Sequence, residues 1–176
     1  QMCIRDSDYS VKSVAPSERE RSIGDPRGIV WSADGTKGYV TGMGSNNVIV
    51  IDANGDRVGN PGTIPVGEGP TGLVLDSGRG QIYVVNKFSS SLSVVNVSSQ
   101  TETTSLPFFD PSPEAIKVGR KHLYDTHASS GLGQVSCGSC HVDARMDRIG
   151  WDLGNPAGDI KSLDNLNLGG NFPLLL

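Results

Sequence analysis

Between Gln134 and Asp143 the chain reads Q-V-S-C-G-S-C-H-V-D, which gathers two of its three cysteines and one of its three histidines. Cys137 and Cys140 are three residues apart, and His141 follows directly. Thiols at this spacing have three chemistries open to them: a dithiol redox pair, half of a zinc site, or covalent attachment of haem through two thioether bonds. The residue after the second cysteine discriminates, because C-x-x-C-H is the attachment pattern of c-type haem. Cysteines at i and i+3 share one side of a helical turn, so both sulfurs reach the vinyl groups on one edge of the porphyrin. His141 then presents a ring nitrogen to the iron, and Gly138 and Ser139 let the backbone approach the macrocycle.

The alternatives need partners that the sequence lacks. A closed zinc site takes four ligands, and neither a second cysteine pair nor a later histidine follows His141. A thioredoxin-type pair belongs in a βαβ context, whereas a helical stretch and a Gly-Ser loop precede Cys137. A structural disulfide or a chance match is the third alternative. Haem c is the reading carried forward, with Cys137 and Cys140 binding the cofactor and His141 as proximal iron ligand.

The other side of such a haem has few candidate ligands. His127 lies ten residues before Cys137 in a Gly-Ser-rich stretch, and is the weak candidate for a distal ligand or acid–base group against a solvated loop histidine. Met146 is too near the proximal ligand in sequence to swing to the opposite face, so it reads as packing. His122, beside a lysine on a predicted helix, reads as surface, and Met43 as core. Trp151 reads as core rather than a haem-edge stack, and Arg145 and Arg148 as exposed charge rather than propionate partners. Asp52-Ala-Asn-Gly-Asp56 has the opening of a calcium loop but lacks its later glutamate, so it reads as a hairpin turn.

What holds this motif is foreshadowed by the rest of the chain. Glycine, at 23 of 176 residues, is nearly double its usual share of about 7% and calls for many tight turns. Residues 23–108 carry an ungapped 44-residue repeat: Pro26 falls on Pro70, Gly28 on Gly72, Tyr39 on Tyr83 and Val50 on Val94. Each unit alternates short Val-, Ile- and Tyr-rich runs with Gly and Asp-Gly turns, the pattern of strands joined by hairpins. A period of 40–45 with four strands per unit is that of β-propeller blades. Two blades cannot close a ring, and further blades are expected upstream.

A third copy starts at Ser112-Pro113-Glu114 and fails. Apolar residues at 116, 123 and 124 amid charges predict a short amphipathic helix, with Ser112 as its cap and Pro113 in its first turn. The fold class expected is therefore multidomain β plus α. It comprises two four-stranded antiparallel blades (23–66 and 67–108), then a mainly helical, incomplete cytochrome c-like domain over 109–176. Residues 8–22 read as a linker or the end of a preceding blade. Met2-Cys-Ile-Arg-Asp-Ser7 matches the translation of a common sequencing adaptor, so residues 1–7 are set aside from the fold. The chain is expected to be a fragment cut at both ends.

The copies Tyr39-Val-Thr-Gly and Tyr83-Val-Val-Asn resemble the YVTN-type propeller repeat. Residues 118–141, VGRKHLYDTHASSGLGQVSCGSCH, resemble the N-terminal haem domain of the di-haem cytochrome c peroxidase and MauG family. Arg145-Met-Asp-Arg-Ile-Gly-Trp-Asp-Leu-Gly154 is similar to members fused behind such a propeller. The resemblance implies thioether bonds at Cys137 and Cys140 and a proximal His141. It also implies that Leu123, Tyr124 and Asp125 pack their helix and its loop against the haem domain. There are departures: His127 stands where the family often has arginine, and neither a downstream distal histidine nor a second C-x-x-C-H is present. A second haem and calcium are expected only in sequence beyond these 176 residues.

Three functions follow. The first is a peroxidase/MauG-like oxidoreductase acting on peroxide or an organic substrate, fed by a redox partner protein or electron donor. The second is a mono-haem electron carrier tethered to a partner-binding propeller, and the third a propeller scaffold with an accessory haem domain. Thioether haem attachment takes place outside the cytoplasm, which implies a periplasmic or otherwise exported bacterial protein. Net charge is -4 with no basic block, so nucleic acid is not an expected partner. No apolar run approaches the ~18 residues of a membrane span.

Overall fold

The computed structural model describes residues 15–59, 62–130 and 133–141, with the backbone alone of 150–151 and 172–173. The chain divides into two compact units, Gln1–Ser136 and Cys137–Leu176.

The first unit is built from two meanders. Strands β1 (Pro26–Trp31), β2 (Gly38–Gly42), β3 (Asn47–Ile51) and β4 (Thr63–Pro65) form one four-stranded sheet in sequence order. Strands β5 (Pro70–Asp76), β6 (Gln81–Asn86), β7 (Ser91–Asn96) and β8 (Thr101–Pro107) form the second. All neighbouring pairs are antiparallel. This is the strand order of a propeller blade, made twice.

The repeat persists in backbone detail. Asp25 and Gly69, one period apart, both take positive φ (51° and 68°), and their carbonyls accept from Met43 N and Lys87 N at 3.0 and 2.8 Å. Asn46 and Ser90 share the next such position, at φ 54° and 49°. Each first strand has an irregularity just after its proline, between Pro26 and Ile29 and between Pro70 and Gly72. The fourth strands correct the ungapped alignment. Pro65 lies opposite Asn47 and Pro107 opposite Ser91, so their offset is two residues less than 44. The reason is local: the turn after β3 is longer, held by Asp52 N donating to Asp56 O at 2.9 Å and a bridge between Ile51 and Arg57.

The sheets bury a shared core. Tyr39, Val48, Val50 and Ile64 of the first meet Ile82, Val84 and Val95 of the second, all at 2% exposure or less. Full burial of each such aliphatic side chain contributes about 1.5–3 kcal/mol. On its other face the first sheet buries Val40, Ile49 and Ile51 with Ile23.

The expected mainly helical domain over 109–176 is overturned. The described residues are mostly β and hold four short helices: α1 (Pro16–Arg19), α2 (Glu114–Tyr124), α3 (Thr126–Ser129) and α4 (Cys137–Cys140). The longest, α2, buries none of its residues and leaves Ile116 and Val118 more than half exposed. Among the described residues the helix packed beside α2 is the four-residue α3, too short to build a helical core, and both fall within the first unit. The capping expectation also changes, because Pro113 rather than Ser112 is the N-cap. The Ser112 hydroxyl instead accepts from Arg120 at 2.6 Å, and Arg120 bonds Asp110 at 2.7 Å and the Phe88 carbonyl at 3.2 Å. Hydrogen bonds from Ser112 and Arg120 hold the Asp110 carboxyl well below the usual carboxylate range.

In the second unit, α4 is accompanied by β9 (Gly150–Trp151), paired antiparallel with β10 (Phe172–Pro173). Residues 1–7, Met146, Arg145, Arg148 and the side chain of Trp151 lie outside the described residues.

Candidate functional site

The C-x-x-C-H motif occupies a single helical turn. Cys137 to Cys140 are helical, and His141 N donates to the Cys137 carbonyl at 2.9 Å, the i to i+4 bond that closes the turn. Both cysteines therefore sit on one helical turn. Cys137 is exposed and Cys140 is buried, and the two are not joined by a disulfide. Gly138 is buried between them. His141 is half-buried, and its Nδ1 is buried with no hydrogen-bond partner among the described residues.

This arrangement fits a covalently held haem. Two thiols and an imidazole at i, i+3 and i+4 would supply two thioether positions and one iron ligand, and the buried Nδ1, without a partner among the described residues, is a polar atom that a bound group would have to answer. Among the described residues no three His, Cys, Asp or Glu side chains converge to hold a metal ion by themselves, as a zinc site requires.

His127 sits on α3 in the first unit. Its Nε2 is 3.0 Å from Ser22 Oγ, which also lies 2.7 Å from the carbonyls of Arg19 and Gly133. Two carbonyls compete for one hydroxyl proton, so the Ser22 oxygen is left to accept from Nε2–H. The neutral ring then carries its proton on Nε2. Burial lowers the pKa of this histidine, with the Asp125 carboxylate opposing it. An exposed position was expected for His122 and is found, and Met43 is core, at 6% exposure. Asp52 closes a turn by accepting from Asn54 N and Asp56 N at 2.9 and 3.0 Å, as read from sequence.

The resemblance set Tyr124 and Asp125 against a haem domain, whereas the structure sets them against the two sheets. Tyr124 stacks on Phe88 from the β6–β7 turn. Asp125 caps α3 through Ala128 N at 2.9 Å and accepts from Asn46 at 3.4 Å. Thr126 N donates to the Gly44 carbonyl at 2.8 Å. The sequence reading missed this docking. Its signal was the pair of glycines Gly24 and Gly44, where a Cβ would lie 2.6 and 2.7 Å from Thr126 Cγ2.

No family model matches the chain, and neither does any curated protein. Solved structures show partial likeness. Hydrazine synthase from Kuenenia stuttgartiensis is 21% identical over 59% of this chain and 27% of its own, with a TM-score of 0.46. Streptogramin B lyase is 22% identical over 51% of this chain and 28% of its own, with a TM-score of 0.41. Apo AztD from Citrobacter koseri is 19% identical over 47% and 23%, with a TM-score of 0.38. The chain spans less than a third of each of these proteins, and the fold described above rests on its own strand pairing. No described helix is long and apolar enough to cross a membrane.

Proposed function

We propose that this chain is a c-type haem-binding redox protein, in which Cys137 and Cys140 hold the porphyrin and His141 ligates its iron. The observation that supports this best is the closed turn from Cys137 to His141, with both thiols and the imidazole on one helical turn. When bound, haem supplies one-electron transfer, and peroxide chemistry as well where its sixth position is displaceable. The protein's part would be to fix the ring by two bonds at Cys137 and Cys140 and to tune the iron's reduction potential through the His141 imidazole. No helical cytochrome domain is needed for this reading. The two blade-like sheets serve as the scaffold, as repeats of a YVTN-type propeller. We place the protein outside the cytoplasm of a bacterium, where thioethers to haem are made, with an electron-donating protein as partner.

A haem stain on a denaturing gel, with a pyridine haemochrome spectrum, tests the proposal. The chain is expressed for export in a host with c-type maturation machinery, beside a Cys137→Ala, Cys140→Ala control. Haem that stays with the parent band and leaves the control is the expected result. A colourless, well-exported parent band overturns it. Peroxide-dependent turnover by the loaded protein then separates a peroxidase-type oxidoreductase from an electron carrier.

A further inference from the structure

Two turns of the first sheet place an acid or an amide directly before a glycine, and their side chains differ in what holds them. In the β1–β2 turn Asp34 precedes Gly35, and in the turn after β3 Asn54 precedes Gly55. Both glycines take positive φ, 68° and 84°, and a Cβ at either would meet nothing within 4 Å. Both also donate three residues back, Gly35 N to Ser32 O at 2.8 Å and Gly55 N to Asp52 O at 3.1 Å. Beyond that the turns diverge. Asp34 accepts from Ser32 Oγ at 2.6 Å, Thr36 Oγ1 at 2.9 Å and Thr36 N at 3.1 Å. These bonds, that from Ser32 foremost, lower its pKa to about 2 and keep it a carboxylate. Asn54 is exposed, and its side-chain amide has no hydrogen-bond partner among the described residues.

Asparagine is a thermolabile residue, because the backbone nitrogen that follows it can attack its side-chain carbon and expel ammonia. Glycine next in sequence favours this, having no Cβ to block the approach and the freedom to turn into it. A carboxylate offers no such leaving group, so the bonds that keep Asp34 ionised also protect it. We propose that Asn54 is a site of spontaneous covalent modification, at which Gly55 N closes on Asn54 Cγ to form a succinimide. The N–Cγ bond forms, the Cγ–Nδ2 bond breaks, and the Gly55 N–H proton leaves with the amide group as ammonia. Water then opens the ring at either carbonyl, leaving an aspartyl or isoaspartyl residue at position 54. The other described asparagines each lack a requirement. Asn47 and Asn86 are buried, Asn46 accepts from Gly69 N at 2.9 Å, and Asn96 accepts from Ser99 N at 2.9 Å and precedes Val97. The product bears on the blade. A new negative charge stands between Asp52 and Asp56, and the isoaspartyl form adds a carbon to a turn closed by Asp52 N donating to Asp56 O and Val58 N to Val50 O, both at 2.9 Å. The proposal is independent of the haem reading.

Peptide mapping by mass spectrometry tests it on the full chain, held folded at pH 6 and pH 8 and unfolded in guanidinium at pH 8. The expected result is release of ammonia and two new forms of the peptide that holds position 54, isoaspartyl in excess of aspartyl. Both carry the mass gain of an acid over an amide. In the folded chain conversion should run ahead of that at Asn46, Asn47, Asn86 and Asn96. It should also be faster at pH 8, where the Gly55 nitrogen gives up its proton more readily. Asn54→Gln keeps an exposed amide but would have to close a larger ring, so the modified forms should be lost while strand content by circular dichroism is unchanged. A folded chain whose Asn54 stays intact overturns the proposal, and conversion in the unfolded chain alone does so by showing that the turn shields the amide. An aspartyl form without its isoaspartyl partner overturns the succinimide route. Isomerisation of Asp34 as fast as conversion of Asn54 overturns the part assigned to the side-chain bonds.

Discussion

Tyr124 and Phe88 stack with ring centroids 4.6 Å apart and planes 25° from parallel. Phe88 stands one 44-residue period after Gly44, whose carbonyl accepts from Thr126 N. The stretch from Tyr124 to Thr126 therefore meets the equivalent turn of each sheet in succession, and ties both to the chain that leads towards Cys137. An offset stack of this kind is worth about 0.5–1.5 kcal/mol beyond the area it buries. A double-mutant cycle of Tyr124→Leu and Phe88→Leu, read by urea unfolding, should return a coupling of about that size. A coupling near zero would mean that the stack adds nothing to the hold Arg120 has on Asp110, Ser112 and the Phe88 carbonyl.

Gly44 tests the other half of the tie. A Cβ there would lie 2.7 Å from Thr126 Cγ2 and 3.0 Å from the Tyr124 carbonyl, which is backbone and cannot rotate aside. Overpacking of this kind costs roughly 1–3 kcal/mol. Gly44→Ala should lower the unfolding midpoint accordingly and speed amide exchange at Thr126. Pairing it with Thr126→Ser, which removes the nearer obstacle, should recover part of the loss.

Protonation of His127 has a definite sign. Its folded pKa is held below the ordinary histidine value of 6.5, chiefly by burial. Between the two values the unfolded chain binds a proton that the folded chain does not, so stability rises with pH through that window. It is complete above about pH 6.5 and falls as the solution is acidified, levelling once the folded ring also protonates. Chemical denaturation at pH 7.5 and 5.5 should show this loss in the parent chain and a flatter profile in His127→Gln, where the amide can still reach Ser22. Equal slopes in both proteins would remove His127 as the source.

The blades were legible because residues of the same type recur one period apart in turns and strands: Pro26 with Pro70, Gly28 with Gly72, Tyr39 with Tyr83. The two-residue offset of the fourth strands was not, since Pro65 and Pro107 match only once their pairing with Asn47 and Ser91 is known. The helix at Glu114–Tyr124 was visible in its spacing of apolar residues, but spacing says that a face exists and not what covers it. Tyr124 finds Phe88 and Thr126 finds Gly44, both contacts with the sheets, and that is why a helical domain was expected where a docked strap is found. The helical turn that brings Cys137, Cys140 and His141 together was legible because it is a single turn of backbone, which local sequence dictates.

That one-turn dependence gives the last prediction. If the two thiols act separately, Cys137→Ala and Cys140→Ala should each leave haem attached by a single bond, with the haemochrome band displaced to longer wavelength by the vinyl group left unreacted. The yield should fall well below that of the parent. His141→Ala should divide the roles in another way: any haem that is attached stays on the denaturing gel, while the visible spectrum of the folded protein changes with loss of its imidazole ligand. Added free imidazole should then restore the parent spectrum, because it replaces the missing donor without touching Cys137 or Cys140. A spectrum indifferent to His141→Ala would place the iron ligand elsewhere in the chain, even where the thioethers form as expected.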